Sequence, residues 1–127
     1  MDKIDRAQAL RDDQRGHYNC CQAVLAPFAG ECGLDEETAL RLGAHFGTGM
    51  RHGATCGAVT GGLMVLGLLG KGEAESRRFL KAFQEEKGCL TCAGLLQKGR
   101  DEGVPRKTGC DGNVRGAVAL IEEILKD

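Results

Sequence analysis

Seven cysteines in a chain of 127 residues are the groups best suited to chemistry: Cys20, Cys21, Cys32, Cys56, Cys89, Cys92 and Cys110. A thiolate is a nucleophile, a redox centre and a soft metal ligand, so this density points to thiol–disulfide chemistry or metal binding. The count is odd, which argues against a fully paired secreted framework. The first residues, Met1-Asp2-Lys3-Ile4-Asp5-Arg6, are charged and lack the apolar run of a secretory signal. A cytoplasmic protein is expected, in a compartment where thiols stay reduced and structural disulfides are rare.

Spacing narrows the chemistry. Cys89-x-x-Cys92 is a redox or metal spacing, but a thioredoxin-like site needs a βαβ context that this chain lacks. Covalent c-type haem is disfavoured, because Ala93 stands where a histidine is required. A zinc ribbon needs a second close pair, and ferredoxin spacing is absent. The other cysteines are scattered, as in a site assembled from several helices. Cys20 and Cys21 are adjacent and point in different directions on a helix, so they do not easily share one metal. His17, His45 and His52 show no ligand spacing and read as surface or hydrogen-bonded residues. His52 is the strongest outsider, being near Cys56 in sequence.

The elements that must position these thiols read as helices throughout, with no sustained alternation of strand formers. Val114, Ala117, Val118, Ile121, Ile124 and Leu125 repeat at helical spacing, and Asp111 is the expected N-cap of that last helix. Asp35 caps a helix to about Phe46. Glu73 to Lys87 is amphipathic and stops at Gly88. A short helix runs from about Thr91 to Lys98. Asn19 with Gln22 resembles a capping box that opens a helix carrying Cys20 and Cys21, and Pro27 should kink or end it. Asp2 to Arg15 is a weaker amphipathic helix. From Gly53 to Gly70 no residue is charged, but six are glycine, so a buried central helix fits better than a membrane span. The expectation is an all-α, single-domain bundle of five or six helices, one cysteine-rich domain over residues 1–127.

On this reading Cys20, Cys56, Cys92 and Cys110 lie at or near helix N-termini. Unpaired N–H groups and the helix dipole favour a thiolate there. Cys56 is expected to be the most reactive, and Cys21 and Cys32 to be small packing residues. Gly57 and Gly61 are four apart on one helical face, a spacing that admits another backbone or a cofactor. Both readings stay open. No Walker lysine follows this glycine segment and no Gly-x-Gly-x-x-Gly run is completed, so a nucleotide site has little support.

Asn19-Cys20-x-Gln22-Ala23-Val24-Leu25, Thr55-Cys56-Gly57-Ala58-Val59-Thr60-Gly61, Cys92 and Cys110 resemble a redox-active bacterial and archaeal family. That family is defined by four cysteines and a Cys-Gly-Ala-x-x-Gly motif. The resemblance spans about Tyr18 to Leu125. It implies redox activity and identifies Cys20, Cys56, Cys92 and Cys110 as the family cysteines. Cys21, Cys32 and Cys89 are then additions, and Cys89 is expected to be dispensable. Pro27 departs from the family pattern. No substrate and no fixed cofactor follow from the resemblance.

Three function classes compete. In the first, Cys20, Cys56, Cys92 and Cys110 form a shared redox site, through thiol–disulfide exchange or an iron–sulfur cluster. Its partner is a redox protein or a small thiol. In the second, the same four thiolates hold zinc in a non-catalytic helical module. A plain helical adaptor with incidental cysteines is the third option. The redox class is favoured, while the choice between disulfide and metal stays open, as do enzymatic turnover and a homodimer. A formal net charge of −1 and only five aromatic residues argue against nucleic acid, and no membrane insertion is expected.

Overall fold

The computed structural model describes residues 1–127, and every regular element in it is helical. Seven α-helices and one 3-10 turn make eight helical elements, more than the five or six read from the sequence. They are α1 (Lys3–Asp12), α2 (Cys20–Leu25), the 3-10 turn Ala26–Phe28, α3 (Glu36–Leu42), α4 (Gly57–Leu68), α5 (Glu73–Lys87), α6 (Cys92–Asp101) and α7 (Arg106–Lys126). One of the additional elements is the 3-10 turn: α2 ends at Leu25, as Pro27 leads one to expect, and the chain tightens into 3-10 geometry there. None of the helices is long and apolar enough to cross a membrane.

Local chemistry explains most boundaries. Asp2, Asp35 and Thr91 cap their helices by accepting from Asp5, Thr38 and Gly94 N–H. Asn19 and Gln22 form the expected capping box, each side chain accepting the other's backbone N–H at 2.8 Å. Gly88, at φ 90°, ends α5 in the left-handed conformation open to glycine.

One boundary differs in a way that matters. Asp111 does not cap the last helix. The helix begins at Arg106, after Pro105, and Asp111 lies buried in its second turn. The sequence hides this start because Arg106-Lys107-Thr108-Gly109 shows no apolar period. Proline needs no amide partner and presets a helical φ, so the chain enters helix a full turn earlier.

Helix α7 buries Val114, Ala117, Val118, Ile121 and Ile124 against one continuous core that includes Leu10, Leu25, Phe28, Val59, Leu66, Phe79 and Phe83. Helices α2 and α4 pack backbone to backbone. A Cβ on Gly61 would stand 2.8 Å from the Cys21 carbonyl oxygen, and one on Gly57 would stand 3.0 Å from the Cys21 nitrogen and 3.1 Å from the Cys20 Cβ. Glycine at both positions is what brings Cys20 up against the start of α4.

Before α4 the chain passes through four consecutive left-handed residues, Thr48 to Arg51, with φ from 52° to 69°. It then forms a single antiparallel bridge between Thr55 and Thr91. Cys56 N–H donates to Leu90 O at 2.8 Å, and Cys92 N–H donates to Ala54 O at 2.7 Å. The bridge ties the entrance of α4 to the entrance of α6.

Candidate thiol site

Cys20, Cys56, Cys92 and Cys110 all line one cavity of about 490 Å³. Cys20 is the first residue of α2, Cys56 is the N-cap of α4, and Cys92 is the first residue of α6. Cys110 sits one turn inside α7 rather than at its start. Four helices therefore deliver four thiols to one space. Cys56 and Cys92 each follow a residue of the Thr55–Thr91 bridge, so both side chains leave the bridge on the same face.

The four thiols are not electrostatically equivalent. Cys110 is lowered to about 6. The main cause is a hydrogen bond from the Cys20 thiol, and the positive charges of Arg11 and Arg106 add to it against the cost of burial. Cys20 is pushed well above the usual thiol range by that same hydrogen bond and by burial. The two thiols are thus driven in opposite directions, Cys20 up and Cys110 down.

Cys56 was expected to be the most reactive thiol, and the structure reverses this. Burial raises it to about 11, although the N–H groups of Ala58 and Val59 pull the other way. The dipole argument was sound in direction, but with Cys56 only 5% exposed, desolvation outweighs it. Burial, reinforced by Cys110, also raises Cys92.

Arg11 and Arg106 are the groups that sequence reasoning missed. Arg11 Nε donates to Asp111 Oδ1 at 2.9 Å and its NH1 donates to Tyr18 O at 3.0 Å. Asp111 also accepts from Lys107 at 2.6 Å and from Gln8 at 3.0 Å. Burial would raise the Asp111 carboxyl, but these partners outweigh it and hold it at about 2. Asp111 stays ionised and fixes Arg11 beside the cysteine pair. Arg106 lies four residues before Cys110, a spacing that places both on one helical face. That signal was present in the sequence, hidden by the misplaced helix start.

The remaining cysteines stand apart. Cys21 is fully buried, its Sγ 3.8 Å from Met64 Sδ, and burial raises it to about 12. Cys32 packs at the edge of the core. Cys89 does not line the cavity. Its Sγ lies 3.3 Å from Thr91 Oγ1, an interaction that lowers its pKa. Thus the Cys89-x-x-Cys92 spacing does not bring both sulfurs to the same space. Of the two glycines weighed as cofactor contacts, Gly57 lines the cavity and Gly61 does not; Gly61 is turned against α2.

Zinc and iron–sulfur clusters suit a donor set of four thiols. As these side chains are arranged, however, no three Cys, His, Asp or Glu groups are gathered closely enough to hold a metal ion. None of the three histidines lines this cavity.

The family described as "Putative redox-active protein (C_GCAxxG_C_C)" matches residues 18–124, and the chain belongs to it. That label writes the central block with Gly before Cys, whereas this chain reads Thr55-Cys56-Gly57-Ala58-Val59-Thr60-Gly61. No curated protein and no solved structure matches the chain.

Proposed function

We propose that this member of the redox-active family works by thiol–disulfide exchange, with Cys110 as the attacking thiolate and Cys20 as the thiol that completes the disulfide. The observation that supports this is the pairing of Cys20 with Cys110 at one cavity, beside Arg11 and Arg106.

In the reducing direction, Cys110 attacks one sulfur of a disulfide substrate. The substrate S–S bond breaks, and one half leaves as a thiolate that takes a proton from solvent. Cys110 now carries the other half and no longer accepts the Cys20 proton. Cys20 attacks the Cys110 sulfur, the mixed S–S bond breaks, and the Cys20 proton goes to the second half as it leaves. One thiol, one thiolate, one solvent proton and one substrate disulfide have become one protein disulfide and two small thiols, with two electrons passed to the substrate. A small dithiol or a redox partner protein restores the reduced pair. In a reducing cytoplasm the resting state is the dithiol.

The test is a redox titration of the reduced protein in thiol–disulfide buffers, with thiols counted by mass. One two-electron couple is expected in the parent chain and in Cys21→Ala. It should vanish in Cys110→Ser and in Cys20→Ser. A couple that survives Cys110→Ser would defeat the assignment.

A second reading has one observation behind it: four thiols from four helices face a single cavity. Such a set could hold an iron–sulfur cluster after the side chains regroup. Anaerobic reconstitution with iron and sulfide separates the two readings. Stoichiometric uptake that needs all four of Cys20, Cys56, Cys92 and Cys110 would favour the cluster.

A further inference from the structure

We infer that the disulfide substrate is a small molecule bearing carboxylates, recognised by a basic rim around the thiol cavity. This inference rests on the thiol–disulfide reading and adds to it the class of substrate. The volume of about 490 Å³ falls within the range of small-molecule sites, ~300–1,000 Å³. It suits an amino-acid or short-peptide disulfide better than the surface of a folded partner.

The charge around it is uneven. Arg11 is taken by Asp111, and Lys87 is paired with Glu86 at 3.6 Å. Lys98, Arg100 and Arg106 also line the cavity, and none of them has a carboxylate partner. Lys98 Nζ donates to the Lys87 carbonyl at 2.9 Å, which fixes the ammonium without neutralising it. Arg100 donates to Gln97 Oε1 at 2.8 Å, again a neutral acceptor. Against these stands one unpaired carboxylate, Glu102. The chain as a whole carries a formal charge of −1, so the positive excess here is local. A cleft lined by one sign of charge concentrates ligands of the other sign. Arg106 lies at the thiol end of this rim, beside Cys110, so an anion held there brings its neighbouring sulfur toward the thiolate. Arg100 and Lys98, about two turns of α6 beyond Cys92, offer the second point of attachment that a two-carboxylate disulfide can use.

The experiment compares three disulfides of similar size and different charge: dithiodipropionate, hydroxyethyl disulfide and cystamine, which are anionic, neutral and cationic. Oxidation of the reduced protein is followed in a single turnover, and each rate is divided by that of a simple thiolate with the same disulfide. The division removes differences in leaving group. The anionic disulfide is expected to lead the cationic one by about 10-fold or more at low salt, with the gap closing as salt rises. The double variant Lys98→Gln, Arg100→Gln should lose most of that lead and keep its rate with the neutral disulfide, which also reports that it is folded. Equal normalised rates for all three disulfides would overturn the inference and leave the exchange reading standing. Failure of the parent chain to oxidise with any of them, or unchanged rates in Cys110→Ser, would overturn the exchange reading itself.

Discussion

Replacing Cys20 by Ala removes the S–H that donates to Cys110, the largest single cause of the low Cys110 pKa. At pH 7 a thiol with a pKa of about 6 is ~90% thiolate, and one at the ordinary 9.0 is ~1%. The reaction rate will not fall by the same factor. Thiolates of higher pKa are more nucleophilic, with a Brønsted slope near ~0.45, so full reversion would return about 20-fold. The rate at pH 7 would then drop only about fivefold. The midpoint of the rate against pH is the sensitive measure. The assay is alkylation by iodoacetamide from pH 5 to 10, read peptide by peptide so that the signal of the half-buried Cys89 stays separate. In the parent chain Cys110 should titrate near 6, and in Cys20→Ala its midpoint should climb toward 9.0. Arg11 and Arg106 remain, so it should stop short of that limit. Cys20→Ser keeps an O–H donor and should hold the midpoint low, although it too loses the disulfide. A midpoint that stays near 6 in Cys20→Ala would refute the hydrogen-bond argument, and a parent midpoint near 9.0 would refute the thiolate itself.

The other expectations follow from packing and charge. Gly61→Ala sets a methyl 2.8 Å from the Cys21 carbonyl oxygen, a backbone atom that cannot swing away. Urea unfolding should show a loss of about 1–3 kcal/mol, and an unchanged midpoint would mean that α2 and α4 are less tightly apposed. Cys21→Ala removes one buried sulfur and should cost on the order of 1 kcal/mol in the same measurement while leaving the redox couple intact. Asp111 has a folded pKa of about 2, below that of an unfolded carboxylate at ~3.9. Its stabilisation is therefore present above pH 4 and lost as pH falls from ~4 toward 2. Acid unfolding of Asp111→Asn should be flatter over that window, and a slope identical to the parent's would deny the carboxylate this role.

The sequence was most legible where one residue type carries one physical signal. Asn19 with Gln22, Gly88 after α5, and the apolar face from Val114 to Ile124 all stand where local rules put them. The start of α7 was illegible because a polar turn after Pro105 carries no hydrophobic period. The order of thiol reactivity was illegible for a different reason. Helix ends are visible in a sequence, but the balance between burial and charge depends on neighbours from other elements. Cys56 loses that balance through the depth of its site, and Cys110 gains through a thiol 90 residues away and an arginine on α1. The hydrogen bond between Arg11 and Asp111 spans 100 positions, and no local pattern reports it.

The glycines connect these two levels. Gly57 and Gly61 raise the question of a cofactor when read on their own, because bare backbone invites close approach. In the fold the approaching group is α2 itself. That contact lowers Cys20 onto the mouth of α4, where its thiol meets Cys110 arriving from α7. The Thr55–Thr91 bridge performs the same task for Cys56 and Cys92 with two backbone hydrogen bonds. Both devices are made of main chain, so they constrain where the sulfurs sit without adding a titratable group to the cavity. The charges that tune the site come instead from Arg11 and Arg106, and Arg11 is held by a carboxylate ionised at every pH where the thiols react. Position is set by main chain, whereas reactivity is set by the two arginines and by where that main chain places Cys20. A substitution in the glycine pair should loosen the chain and, by shifting Cys20, raise the Cys110 midpoint with it, whereas one at Arg106 should move that midpoint upward with little loss of stability, since Arg106 is exposed and has no carboxylate partner to strand. Arg106→Gln is the cleanest check of that contrast: a lowered urea midpoint with an unmoved alkylation midpoint would show that Arg106 acts on stability and not on the thiolate.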